Sequence, residues 1–374
     1  MTRPGTPFPT TGYFGKEFFC DREDELEQLL RNVRGGSSTT LVALRRMGKT
    51  ALIKHLQYHL RDDFFSVYVD ILPTESMNDL LNSLATAVAG MVSERTRMGT
   101  KIWKFLRSLR PVVSYDSLSG SPTLSFNLKP EESQKSMGEI FDFLESQPKP
   151  VLLAIDEFQQ ILEYPEKQTD AWLRSKIETL GNVMFIFSGS QQHLMREIFA
   201  DPSRPFYRST QFLQIGKIER QIYHSFIIRK FTDRSKLIHD QTVEDILDWA
   251  EGYTYYVQLL CNRIFLSSGK EVHHETWKLE AIQLLKEQEF VFYSYRDILT
   301  TPQWNLLKAI AREGVVLHPT SSHFISRNHL GNAATVQRSL KALQNKDLIF
   351  REPGKEGDPH YGLYDVLFRR WIEA

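Results

Sequence analysis

Residues 43–50 read Ala-Leu-Arg-Arg-Met-Gly-Lys-Thr; the β-rich run Thr39–Val42 leads into them and a helical run, Ala51–Leu60, follows. This succession constrains the chain more than any other feature, because a loop feeding a helix start aims several backbone N–H groups at one anion. The octet matches the phosphate-loop pattern GxxxxGK[ST], with Ala43 at the first glycine. Each position carries its own chemistry. Gly48 lets the backbone approach a β-phosphate, Lys49 is a compact charge able to bridge β- and γ-phosphates, and Thr50 offers a hydroxyl to Mg²⁺. Arg45, Arg46, Met47, Gly48, Lys49, Thr50 and Ala51 form the expected cradle for ATP or ADP.

A second motif lies downstream. Val151–Ile155 is an apolar strand that ends in Asp156 and Glu157. A carboxylate at the carboxyl end of a strand can hold Mg²⁺ through its water shell, and a neighbouring glutamate can polarise an attacking water. Thr50 and Asp156 are thus the expected metal residues and Glu157 the expected base. The strand Phe65–Asp70 lies in sequence between the two motifs, which favours the hydrolysing class of P-loop proteins over the kinase and GTPase class. Strand Val183–Phe187 runs into Ser188-Gly189-Ser190, where Ser188 or Ser190 can serve as a γ-phosphate sensor or as a cap for the helix Gln192–Phe199. Arg208, before the strand Gln211–Ile215, is a candidate finger acting in cis or from a neighbour; Arg204 is as readily a surface ion pair.

From Thr39 to about residue 214, short β-rich runs alternate with helical patterns, which predicts a parallel sheet covered by helices. The 80 residues 71–150 are too many for one crossover, so they must contain an insertion, at about 91–130. Within it Ser93–Arg110 reads as a basic helix, and Val112–Leu118 with Leu124–Leu128 as a hairpin turning at Ser119, Gly120, Ser121 and Pro122. Beyond Ile218 the pattern is helical. After Pro302, three short helices precede two strands, Leu348–Glu352 and His360–Tyr364, around the turn-rich stretch 353–359, the outline of a winged helix-turn-helix. The expected domains are 1–217, an α/β P-loop domain; 218–301, a helical lid; and 302–374, the winged helix.

Composition excludes several classes. The 46 Lys+Arg balance 46 Asp+Glu, so a nucleic-acid surface must be local rather than global. Two distant cysteines, Cys20 and Cys261, form neither a disulfide framework nor a zinc motif, and the apolar runs are too short to span a membrane. A cytoplasmic protein is expected. His273 and His274 beside Glu275 read as surface residues, since adjacent side chains point apart.

Taken in order, these motifs resemble the archaeal-type ATPase family, prokaryotic P-loop proteins of the AAA+/STAND-like group related to origin-recognition ATPases. The resemblance covers nearly the whole chain. It rests on Phe18-Phe19-Cys20-Asp21-Arg22-Glu23, on Arg45-Arg46-Met47-Gly48-Lys49-Thr50, on Ile155-Asp156-Glu157-Phe158-Gln159, on Ser188-Gly189-Ser190, on Phe206-Tyr207-Arg208 and on the lid segment 251–258. It implies adenine contacts around Phe19 and Arg22. The chain departs from the pattern at Ala43 and at Thr254, where related lids often carry proline.

Two functions remain open on the sequence. One is an ATP-hydrolysing switch in which Lys49, Glu157, Ser188 and Arg208 sense the γ-phosphate and the winged helix is the output. The other is a DNA-binding or protein-docking module whose nucleotide is largely structural. Between Pro302 and Phe350, six basic residues (Lys308, Arg312, Arg327, Arg338, Lys341, Lys346) face two acidic ones (Glu313, Asp347), a modest excess. Double-stranded DNA and a protein partner are therefore both candidate ligands of the predicted helix Ala334–Gln344. The basic run Arg95, Arg97, Lys101, Lys104, Arg107, Arg110 is either a solvated face or a surface for nucleic acid or an anionic membrane.

Overall fold

The computed structural model describes residues 5–91, 96–116, 121–353 and 359–374. Ser93 and Arg95 of the predicted basic helix, Ser119 and Gly120 of the predicted hairpin turn, and most of the wing turn, 354–358, lie outside the described residues. The chain forms two compact units, one of residues 22–44 and 48–216, the other of 1–21, 45–47 and 217–374.

In the first unit α1 (Glu23–Arg34) precedes β1 (Thr39–Val42), and α2 (Lys49–Leu60), β2 (Phe65–Asp70) and α3 (Met77–Ala89) follow. The inserted elements are α4 (Arg97–Ser108) and the hairpin of β3 (Val112–Tyr115) and β4 (Pro122–Ser125). The unit closes with α5 (Pro130–Glu145), β5 (Val151–Asp156), α6 (Thr169–Ile177), β6 (Val183–Gly189), α7 (Gln192–Ala200) and β7 (Gln211–Gln214). The main sheet is parallel throughout, in the order β2-β5-β6-β1-β7. Its central strands β5 and β6 are buried at every position, the reason they read as unbroken apolar runs. The strand between the two motifs in sequence, β2, sits at the sheet edge, and β6 occupies the place between β1 and β5.

The core of this unit is aromatic. Phe158, Phe187, Phe199 and Phe206 pack with ring centroids 4.5–5.7 Å apart. Ile102, Trp103 and Leu106 of α4 and Leu124 and Phe126 of the hairpin segment belong to the same core, so the insertion is built into the domain. α3 holds the hairpin by a helix-to-strand zipper. Its Asn78, Asn82 and Thr86, one turn apart, bond Phe126 O, Phe126 N and Leu124 N at 2.8, 2.7 and 2.9 Å. A helical i, i+4, i+8 row advances about 6 Å per step, close to the two-residue repeat of a strand, so the side chains meet successive backbone groups.

The second unit begins its helical part with α8 (Arg220–Thr232), α9 (Asp240–Trp249), α10 (Thr254–Ser267) and the long α11 (His274–Ile298). The winged helix follows as α12 (Thr301–Glu313), α13 (Ser322–Arg327), α14 (Ala333–Asn345), β8 (Ile349–Pro353), β9 (Pro359–Leu363) and α15 (Val366–Glu373). Side-chain caps start its helices: Ser321 accepts from Phe324 N, Asn332 from Thr335 N, and Asp365 from Leu367 N. The N-terminal segment joins this unit through buried Phe8, which packs on Phe231, and through Asn262, which donates to Thr6 Oγ1 and Phe8 O.

Candidate functional site

The site in the first unit is built at the carboxyl ends of β1, β5 and β6. β1 runs into Ala43 and Leu44, both buried. Ala43 is not among the residues at positive φ, so its methyl group costs no backbone strain and the departure from glycine is tolerated. Gly48 does need its freedom: it caps α2 at φ 91°, in the left-handed region. Because this cap offers no side chain, the first-turn N–H groups of α2 face outward without a capping oxygen, the arrangement that suits a phosphate. Lys49 is buried at the start of that helix.

Thr50 and Asp156 meet as expected, the hydroxyl donating to Asp156 Oδ2 at 2.9 Å. A residue the sequence did not single out joins them. Tyr68 on β2 donates to the same oxygen at 2.7 Å, and the backbone N–H of Glu157 donates to Oδ1 at 3.1 Å, so both oxygens of this buried carboxylate are fixed. Burial, then the charge of Asp156 and the hydrogen bond to it, push the Tyr68 phenol well above its ordinary pKa, so it stays a donor. Lys54 Nζ lies 3.7 Å from the Tyr68 ring centroid, and burial lowers its pKa against the opposing pull of Asp156. Asp70 is in register with Asp156 on the neighbouring strand. Burial, reinforced by the Asp156 and Glu157 charges and opposed by a hydrogen bond from Leu72 N, raises the Asp70 pKa.

Glu157 stands at φ 57°, left-handed for a non-glycine residue. Its Oε2 accepts three hydrogen bonds, from Gln159 Nε2 at 2.6 Å, Ser190 Oγ at 2.7 Å and Ser190 N at 3.2 Å. One oxygen is pinned, so the direction of the other is set. Gly189 makes room for this: a Cβ there would lie 2.4 Å from Gln159 Oε1 and 2.5 Å from Met195 Sδ. Ser190, rather than Ser188, touches the glutamate. Ser188 is fully buried in β6, and its Oγ has no hydrogen-bond partner among the described residues. Neither serine caps α7, whose cap is Gln191.

The remaining sequence candidates lie elsewhere. Arg208 is exposed, with its guanidinium over the Tyr207 ring at 5.1 Å; among the described residues no hydrogen bond or ion pair joins it to Asp156 or Glu157. Arg204 pairs with Glu197 and, at 3.6 Å, with Asp170. Arg22 is buried and committed to Glu25 at 2.8 Å and Gly216 O at 2.7 Å. Phe19, half-buried in the second unit, meets Tyr13 edge-on.

Residues 45–47 belong with the second unit, and their partners were not readable from the sequence. Arg45 pairs with Asp347 at 2.8 Å. Arg46 donates to Tyr256 Oη, lies over the rings of Tyr255 and Tyr256 and stands 3.5 Å from Asp365, to which Tyr256 also donates. The carbonyls of Arg46 and Met47 accept from Tyr255 N at 3.1 Å and Thr254 Oγ1 at 3.4 Å. Asp365 thus caps α15 and holds Arg46 at once.

Residues 19–260 match the family described as "ATPase domain predominantly from Archaea". The chain belongs to that family. It is an archaeal-type ATPase, and residues 290–374 match a second family, described as "Probable winged helix domain". No curated protein sequence matches the chain. Among solved structures, the Walker-type ATPase PABY2304 of Pyrococcus abyssi is 15% identical over 99% of this chain and 100% of its own, with a TM-score of 0.69. Aeropyrum pernix ORC2, solved as ADPNP-ADP complexes, is 12% identical over 94% of this chain and 92% of its own, at 0.58. The Aeropyrum pernix ORC1 protein in complex with DNA is 12% identical over 95% and 92%, at 0.52. At such identities the likeness concerns the fold that this archaeal-type ATPase shares with them.

Proposed function

We propose that the ATPase is a STAND-like, Mg²⁺-dependent switch in the cytoplasm, in which the winged helix reads the nucleotide state through Arg45 and Arg46. The observation that carries this reading is the bonding of the phosphate-loop residues 45–47 to α10 and to two winged-helix carboxylates, Asp347 and Asp365. Both arginines stay 40% exposed, so water screens these pairs and the contacts can be remade when phosphates compete for the arginines. Amide hydrogen exchange of residues 347–368 in the ADP and ATP states tests it: the two states should differ in protection, and identical protection refutes the switch.

In this reading Lys49 and the α2 N-terminus hold the phosphates, and Glu157 takes a proton from the attacking water. Ser190 and Gln159 orient that glutamate, and exposed Arg208 acts on a neighbouring subunit's nucleotide. The hard oxygen set of Thr50 and Asp156 fits Mg²⁺, which keeps waters and phosphate oxygens as its other ligands. Among the described residues no group of three or more His, Cys, Asp or Glu could hold a metal ion. The cytoplasmic placement is supported by the use of only two cysteines, far apart in the sequence and both buried; separately, no described helix is long and apolar enough to cross a membrane.

Two expected outcomes follow from this geometry. Tyr68→Phe deletes one donor to Asp156, worth about 1 kcal/mol, and should raise the Mg²⁺ concentration for half-maximal phosphate release about fivefold with little change in nucleotide affinity. Asp347→Asn removes the charge that pairs with Arg45 and should tighten ATP binding by about two- to fivefold in a calorimetric titration; unchanged affinity would show that the pair does not compete.

Duplex DNA is the output we favour over a docked protein. Gln337, Arg338 and Lys341 of α14 are exposed while Val336, Leu340 and Leu343 pack inward, which leaves the helix face open for a groove. The similar fold of Aeropyrum pernix ORC1 in complex with DNA supports the same choice.

A further inference from the structure

We propose that α4 and the β3–β4 hairpin form a second docking surface, for the sugar–phosphate backbone of duplex DNA, separate from the winged helix. Between Arg97 and Tyr115 the chain carries Arg97, Lys101, Lys104, Arg107 and Arg110 and no acidic residue, in a protein whose net charge is zero. All five are exposed. Among the described residues, Arg97, Lys101, Lys104 and Arg110 form no ion pair, whereas arginines elsewhere, such as Arg204, Arg220 and Arg263, are paired to carboxylates. An unneutralised row of one sign complements a polyanion.

The geometry of the row fits a phosphate strand. At 100° per residue Arg97, Lys101 and Lys104 fall within about 60° of arc and span about 10 Å along the axis. Projected on the duplex axis, where one strand carries a phosphate about every 3.4 Å, that length covers about three phosphates. Arg107 flanks the row with its guanidinium 5.5 Å from the Trp103 ring centroid. Beyond the helix, Val112 at 69% and Tyr115 at 62% exposure offer apolar surface to deoxyribose.

The burial of the opposite face argues against a membrane. A helix that lies in a lipid interface sinks an apolar face among the acyl chains. In α4 that face, Ile102, Trp103 and Leu106, is already spent in the protein core, and Phe105 stacks on Phe143 at 4.3 Å. What remains outside is charge on a platform anchored by packing, which suits contact with a backbone and not insertion.

The test uses the full chain and a fluorescent 30-base-pair duplex, with anisotropy titrations from 20 to 200 mM salt. The variant Arg97→Glu/Lys101→Glu/Lys104→Glu should keep its ATP-induced thermal shift, bind the duplex at least about tenfold more weakly at low salt, and show a log K versus log salt slope less negative by about 2.7, the value for three lost phosphate contacts. If that variant fails to fold, Lys101→Gln/Lys104→Gln should still flatten the slope by about 1.8. A parallel Arg338→Ala/Lys341→Ala variant reports on the winged helix alone, so failure of either surface is seen separately. The proposal is overturned if the native chain does not bind duplex at low salt or if the α4 variants bind with unchanged slope. It is overturned equally if they lose only phosphatidylserine vesicles, duplex RNA or polyglutamate while keeping DNA.

Discussion

A Glu157→Gln enzyme is expected to bind ATP as tightly as the native chain and to release phosphate about 10²–10⁴-fold more slowly, the span usual for loss of a positioned general base. The geometry makes the substitution clean. Gln has the shape of Glu, and its carbonyl oxygen can still accept from Ser190 Oγ and N, so the left-handed turn at residue 157 and the packing around Gly189 are kept. What is lost is the ability to take a proton from water. Single-turnover phosphate release on Mg²⁺-ATP, beside a binding titration with the same protein, measures both halves. A native-like rate would remove Glu157 from the reaction. A rate that falls together with affinity would make its role structural.

Lys49→Ala is the second large effect. Lys49 is buried at the first turn of α2, directly after the left-handed Gly48, whose cap leaves the first-turn backbone donors without a side-chain acceptor. In the reading proposed above, loss of its charge leaves the β- and γ-phosphates without the ammonium that bridges them. Ligand at 100-fold its Kd stabilises a native protein by about 2.7 kcal/mol. The native chain should show that stabilisation with both ATP and ADP, and the variant should show neither in a thermal melt. An unchanged ATP shift in a folded Lys49→Ala protein would place the phosphates elsewhere.

Features set by local chemistry were legible before the fold. A run of apolar residues such as 151–155, set between turn signals, has the pattern of a strand covered on both faces, and a Gly-Lys-Thr at a strand-to-helix junction has that of a helix start open to an anion. The same holds for the winged helix, whose α14 buries the Val336, Leu340 and Leu343 stripe that its spacing marks. Element ends differ from the expected ones by two to four residues: β6 runs on to Gly189, the basic helix is Arg97–Ser108, and the hairpin strands stop at Tyr115 and Ser125.

Only the tertiary structure decided which residues meet. Ser188 and Ser190 have the same sequence credentials, but β6 runs on to Gly189, so Ser188 stays inside the buried strand while Ser190, just past its end, holds Glu157. Tyr68 and Asp70 carry no motif; they reach the site because β2 pairs with β5 in one register, which depends on sheet order and not on any nearby residue. Arg45 and Arg46 read as phosphate ligands, yet their side chains find Asp347 and Asp365, about three hundred residues away. Local pattern determined the elements and the chemistry of the loop, because periodicity, glycine and caps act over a few residues. The partners of each polar group were settled by packing, because a hydrogen bond requires two atoms to coincide in space, and their separation along the chain does not predict that.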